Sequence, residues 1–90
     1  HPGEVLREEF LDPLGMSVNS LAMALRVPAT RIGAIVKGGR SVTADTALRL
    51  GRFFGTSAEF WMNLQAMHDL TRTRKESGVS IERDVNPRAA

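Results

Sequence analysis

The chain has 90 residues, 42% of them apolar, with four Phe, one Trp, no Cys and a formal net charge of +2. That length makes one small domain with one modest core, and the composition is that of a folded chain rather than a disordered one. It excludes disulfides and thiolate metal sites, and no run approaches the roughly 18 apolar residues that a membrane helix requires.

Almost everything reads as helix. The opening Pro2-Gly3-Glu4 places a proline and then acids in a first turn, and Val5, Leu6, Phe10 and Leu14 recur behind it at helical spacing. Asp12-Pro13 disturbs this helix near its end and Gly15 closes it. Ser17 is an N-cap for a second helix over 17–25, in which Leu21, Ala24 and Leu25 share a face. Pro28 opens a third, about 28–37, that turns Ile32, Ile35 and Val36 inward and stops at Gly38-Gly39. Thr43 caps a fourth, with Asp45 near its positive end, Ala47, Leu50 and Phe54 on one side, and Gly55 as its stop. Ser57 caps the last, about 57–76, whose apolar stripe is Phe60, Trp61, Leu64 and Met67. From Ser77 onward the pattern fades. Gly78 and Pro87 break it, so residues 77–90 read as a tail, a short strand or a segment that orders on a partner. The expectation is therefore an all-α, five-helix domain over 1–76 followed by a tail.

Charge along this chain is unevenly placed. Residues 1–16 carry Glu4, Glu8, Glu9 and Asp12 against Arg7 alone. Residues 17–56 carry Arg26, Arg31, Lys37, Arg40, Arg49 and Arg52 against Asp45 alone. A local cationic patch suits a polyanion, although a solvated face would look similar. The second and third helices lie inside that patch and are separated by only two or three residues, which is helix-turn-helix spacing.

At this point the sequence resembles the lambda-repressor-like helix-turn-helix family, on Leu21-Ala22, Leu25, Val27, Ile32, Ile35 and Gly38. The resemblance makes Ala22 the small residue at the helix crossing. Arg26 stands where that family usually places glycine, a substitution worth roughly 1 kcal/mol in a left-handed conformation. With Ile32 and Ile35 inward, Ala29, Thr30, Arg31, Gly33, Ala34 and Lys37 face outward. Small residues there allow close approach to DNA. Thr30 and Ala34 can touch a thymine methyl, and Arg31 can fork onto a guanine or contact a phosphate. Ser17, Asn19, Lys37, Arg40 and Ser41 suit phosphate. Each also has a plainer reading: Thr30 as a first-turn residue, Lys37 and Arg40 as charges near a helix C-terminus.

Most of the chain is similar to a narrower group, the HigA-type antitoxins, also described as virulence-associated or plasmid-maintenance antidote proteins. The matching blocks are HPGEVLREEFLDPLG (1–15), RVPATRIGAIVKG (26–38), TADTALRLGRFFGTSAEFWMNLQAMHDL (43–70) and the closing IERDVNPRAA. The resemblance implies a cytoplasmic homodimer that represses its own operon at operator DNA and sequesters a HigB-type, RelE-like ribonuclease toxin. It implies no cofactor, metal or membrane. Trp61, Met62 and Met67 on the long last helix are the candidate dimer contacts, with Trp61 better suited to the core than to an interface and Met62 the better interface candidate. Glu4, Glu8, Glu9 and Asp12 are candidates for holding a basic toxin, or an ordinary solvated face. A repressor with no toxin partner is the alternative. An enzyme finds little support: His1 and His68 are the only imidazoles, and no nucleophile or metal-ligand spacing accompanies the carboxylates.

Overall fold

The computed structural model describes residues 1–89 and contains five helices and no strand among them. Helix α1 is continuous through Pro2–Val5, Leu6–Leu11 and Asp12–Leu14. Its middle stretch is π-helical, with the Asp12 N–H donating to the Arg7 carbonyl five residues back. Pro13 explains the wide turn, because a proline ring collides with the carbonyl four residues earlier in a regular α-helix. The sequence signal for a disturbance was correct. Its form is a widened turn rather than a break.

Helices α2 (Val18–Leu25), α3 (Ala29–Val36), α4 (Ala44–Phe54) and α5 (Ala58–Asp84) follow. The side chains of Ser17, Thr43 and Ser57 each accept a hydrogen bond from the backbone N–H three residues on, as their sequence positions predict. Arg26 takes up the left-handed conformation at φ 60°, and the following Val27 N–H closes the end of α2 on the Ala22 carbonyl.

The core is Leu6, Leu11, Leu21, Ala22, Leu25, Ile32, Ile35, Val42, Ala47, Leu50 and Trp61. Ala22 is buried at the α2–α3 crossing, whereas Ala24, expected beside Leu21 and Leu25, is exposed. Gly3 makes α1 fit. A Cβ there would overlap the Ile35 carbonyl oxygen, so only glycine lets α1 press against the end of α3. Phe10, Phe54, Phe60 and Trp61 form an aromatic cluster, with Phe10 at 4.7 Å from Phe54 and 5.1 Å from Trp61 between ring centres.

Helix α5 corrects the expected C-terminus. Residues 77–84, read as the start of a tail, continue the helix to Asp84, and Ala90 lies outside the described residues. One glycine in a helix costs about 1 kcal/mol, which the long helical run before Gly78 tolerates. The stripe on α5 is also narrower than its spacing suggested. Trp61 and Gln65 are buried and Leu64 is half-buried, but Phe60 and Met67 are exposed.

Candidate nucleic-acid interface

Helix α3 is anchored from one side only. Ile32 and Ile35 are fully buried, and α1, α2 and the Val42 loop close over them. The opposite side presents a shallow groove lined by Ala29, Thr30, Gly33, Ala34 and Lys37. Thr30 and Lys37 are exposed, while Ala29, which packs in part against the core, Gly33 and Ala34 are half-buried.

Gly33 shows that this smallness does not serve the core. A Cβ there would meet only Val18 Cγ1, at 3.9 Å, which is ordinary contact. Glycine inside a helix is less stable than alanine by roughly 0.5–1 kcal/mol, and nothing inside the protein returns that energy. Without a side chain there, the outer side of the helix is left open.

The candidate phosphate contacts flank the groove. Ser17 and Asn19 are exposed at the start of α2, although the Ser17 hydroxyl is already occupied, accepting from the Ser20 N–H at 3.0 Å and lying 2.9 Å from the Ser20 hydroxyl. Lys37, Arg40 and Ser41 are exposed in the loop after α3. That loop is fixed from behind by Gln65 of α5, whose buried amide oxygen accepts from the Val42 N–H at 2.8 Å. Sequence reasoning missed Gln65, because a glutamine in a polar helix carries no mark of burial and its partner is 23 residues away.

Arg31 is not free. Its Nη1 donates to Asp45 Oδ1 at 3.0 Å, and the same oxygen accepts from Arg49 Nε at 2.8 Å. Arg49 also donates from Nη1 to the Leu25 carbonyl at 2.8 Å. The Arg49 hydrogen bond and charge, with Arg31 beside it, hold the Asp45 carboxyl below the usual aspartate range. The sequence placed Arg31 on the outward face and Asp45 at a helix start. It did not join them.

Elsewhere the candidates divide. Glu4, Glu8, Glu9 and Asp12 are all exposed on α1, with Glu8 3.4 Å from Arg7. Glu4 and Arg7 border the same small recess as Val36 and Lys37, so the acidic helix abuts the end of α3. Trp61 is 1% exposed and donates to the Thr56 hydroxyl at 2.8 Å, so of its two readings the structure places it in the core. Met62 and Met67 are exposed, but five positions on a helix separate them by about 140°, so they do not share a face. Met67 instead shares one with Leu70 and Ile81, 53% and 49% exposed. His68 packs edge-on against His1 at 4.8 Å, and His1 Nδ1 accepts from the Gly3 N–H, so both imidazoles have structural roles. Among the described residues no helix is long and apolar enough to cross a membrane.

Residues 6–61 match the helix-turn-helix family. The chain is 51% identical over 76 residues to Virulence-associated protein I of Dichelobacter nodosus, covering 84% of this chain and 70% of that one. It is 39% identical over 72 residues to Antitoxin HigA-1 of Vibrio cholerae, covering 80% and 68%. The solved structure of the Pseudomonas aeruginosa antitoxin HigA with the higBA promoter superimposes with a TM-score of 0.95 at 46% identity, over 99% of this chain and 97% of that one.

Proposed function

The chain belongs to the HigA-type antitoxin family of helix-turn-helix proteins, and from that premise we propose that it is the antitoxin of a type II toxin–antitoxin pair. In this reading it represses its own operon by binding operator DNA as a homodimer, and it neutralises a HigB/RelE-like ribonuclease toxin by direct binding. It works in the cytoplasm, on the nucleoid when bound to its operator, and needs no cofactor.

The observation that carries the DNA half is the Gly33 groove: a helix fixed to the core by Ile32 and Ile35 whose outer side is kept small at the expense of its own stability. In the major groove, Ala29, Gly33 and Ala34 let the backbone approach, Thr30 and Ala34 meet base edges or thymine methyls, and Arg31 offers its fork. Ser17, Asn19, Lys37, Arg40 and Ser41 hold the flanking phosphates and set the register without reading sequence.

One such domain reads few base pairs, so two copies on half-sites about one helical turn apart supply affinity. Met67, Leu70, Arg74, Ser77 and Ile81 recur along α5 at alternating steps of three and four, the spacing by which a helix meets its own copy across a twofold axis. Glu4, Glu8, Glu9 and Asp12 give α1 an exposed acidic face suited to a basic RNA-cleaving protein.

Fluorescence anisotropy on DNA from upstream of the gene against scrambled DNA, across a salt series, tests the repressor half. Selective binding with a steep salt slope is expected. Equal, weak binding to both DNAs overturns repression and leaves sequestration alone. Co-expression with the small basic protein encoded beside it tests the antitoxin half. Co-purification that weakens on charge reversal of Glu8 and Glu9 supports it, and selective DNA binding with no captured partner returns a stand-alone repressor.

A further inference from the structure

An acid beside a DNA-binding helix needs a reason, because its charge repels the phosphates that supply most non-specific affinity. Asp45 is such an acid, the one acidic residue between positions 17 and 56. Its place in the first turn of α4 and its pairing with Arg49 four residues on are ordinary helix features, each worth little at an exposed position. Neither requires Arg31.

The third partner changes the reading. Arg31 comes from another helix, 14 residues away in sequence, and meets the same Oδ1 that Arg49 holds. Arg49 in turn is tied to the Leu25 carbonyl at the end of α2. A chain of three contacts therefore runs from α2 through Arg49 and Asp45 to α3, and Arg31 is only 28% exposed within it. A free arginine on this face would sweep a wide arc and settle on any phosphate in reach. Held by one Nη1 hydrogen, it keeps its other N–H groups for an acceptor in a single direction, with its charge partly offset by the carboxylate it shares with Arg49.

We propose, resting on the repressor reading above, that Asp45 is a specificity-determining positioning residue, which withholds Arg31 from backbone phosphate and aims its remaining donors at one base edge. Asp45 touches no base. It acts through Arg31, lowering affinity for random DNA more than for the operator.

The test compares wild type, Asp45→Asn, Arg31→Ala and the double variant on upstream and scrambled DNA at several salt concentrations. Asp45→Asn keeps the side chain's size and an acceptor oxygen while removing the charge, so thermal melting at neutral pH should stay close to wild type. The expected result is tighter binding to scrambled DNA, a salt slope on it steeper by about one unit, and a selectivity ratio about fivefold lower or more. In the Arg31→Ala background, Asp45→Asn should leave the ratio unchanged. Equal gains on both DNAs, or the same loss of ratio without Arg31, would mean that Asp45 only repels phosphate, and would overturn the proposal. A wild-type protein with no selectivity would instead overturn the repressor reading and this one with it. Selectivity intact in wild type and in Asp45→Asn would remove only the role of Asp45.

Discussion

Helix α3 and the distal half of α5 expose apolar surface in opposite ways. On α3 the exposed residues are small, and two isoleucines on the other side are fully buried. On distal α5 the exposed residues are large, Leu70, Val79 and Ile81 among them, and past His68 no large apolar side chain reaches the core. A helix fixed by its own domain can shape its free side for a visitor by removing atoms. A helix that has left its domain offers side chains, and its order depends on what packs against them.

The largest effects should separate the two ends of α5 itself. Trp61→Ala removes a fully buried ring and its hydrogen bond to Thr56, and should cost about 3–5 kcal/mol. Ile81→Ala, measured at a concentration where the protein is monomeric, should cost less than about 0.5 kcal/mol. Urea unfolding of both variants checks the pair. Comparable losses would mean that distal α5 is held by the core after all.

Next in size is association. Leu70→Asp with Ile81→Asp places two charges on the proposed twofold face and should weaken the dimer by about 2–4 kcal/mol in sedimentation equilibrium, with melting of the monomer little changed. Met62→Asp, on another side of α5, should leave the dimer intact. A dimer broken by Met62→Asp and unaffected by the other pair would move the interface round the helix.

Gly33→Ala sharpens the α3 side of the comparison. The added methyl meets only ordinary contact with Val18, so stability should rise by about 0.5–1 kcal/mol, seen as a higher melting temperature. Operator affinity should fall in the same variant, since the methyl fills the groove through which DNA approaches. A gain in stability with unchanged affinity would remove the functional reason for Gly33.

These sites differ in how far the sequence reveals them. Caps at Ser17, Thr43 and Ser57 and the inward pair Ile32 and Ile35 are local: each depends on residues within four positions, and each was legible. Arg26 in the left-handed turn was legible too, as a departure from a known pattern. The grip of Gln65 on the Val42 loop and that of Asp45 on Arg31 join residues 23 and 14 positions apart, and no periodicity links them. The length of α5 was misread for the converse reason. Gly78 is a local breaker signal, and a helix of 27 residues outweighs it.

The smallest predicted effect is the titration of the Asp45 clamp. Its carboxyl lies below the ordinary aspartate range because Arg49 and Arg31 favour the charged form, so folding is assisted by the ionised acid. The sign follows from linkage: this contribution is complete above the unfolded aspartate value and is lost as pH falls through the lower, folded one, below about pH 4. Between neutral pH and pH 5 the clamp should be unchanged. Carbon NMR of the Asp45 carboxyl should show a midpoint below that of an unpaired aspartate, and Arg31→Ala should raise it partway, since Arg49 remains. The stability of Asp45→Asn should also fall less steeply than that of wild type below pH 4. If the midpoint is unaffected by removing Arg31, the two side chains do not hold each other in solution, and α3 presents Arg31 as freely as its sequence alone suggests.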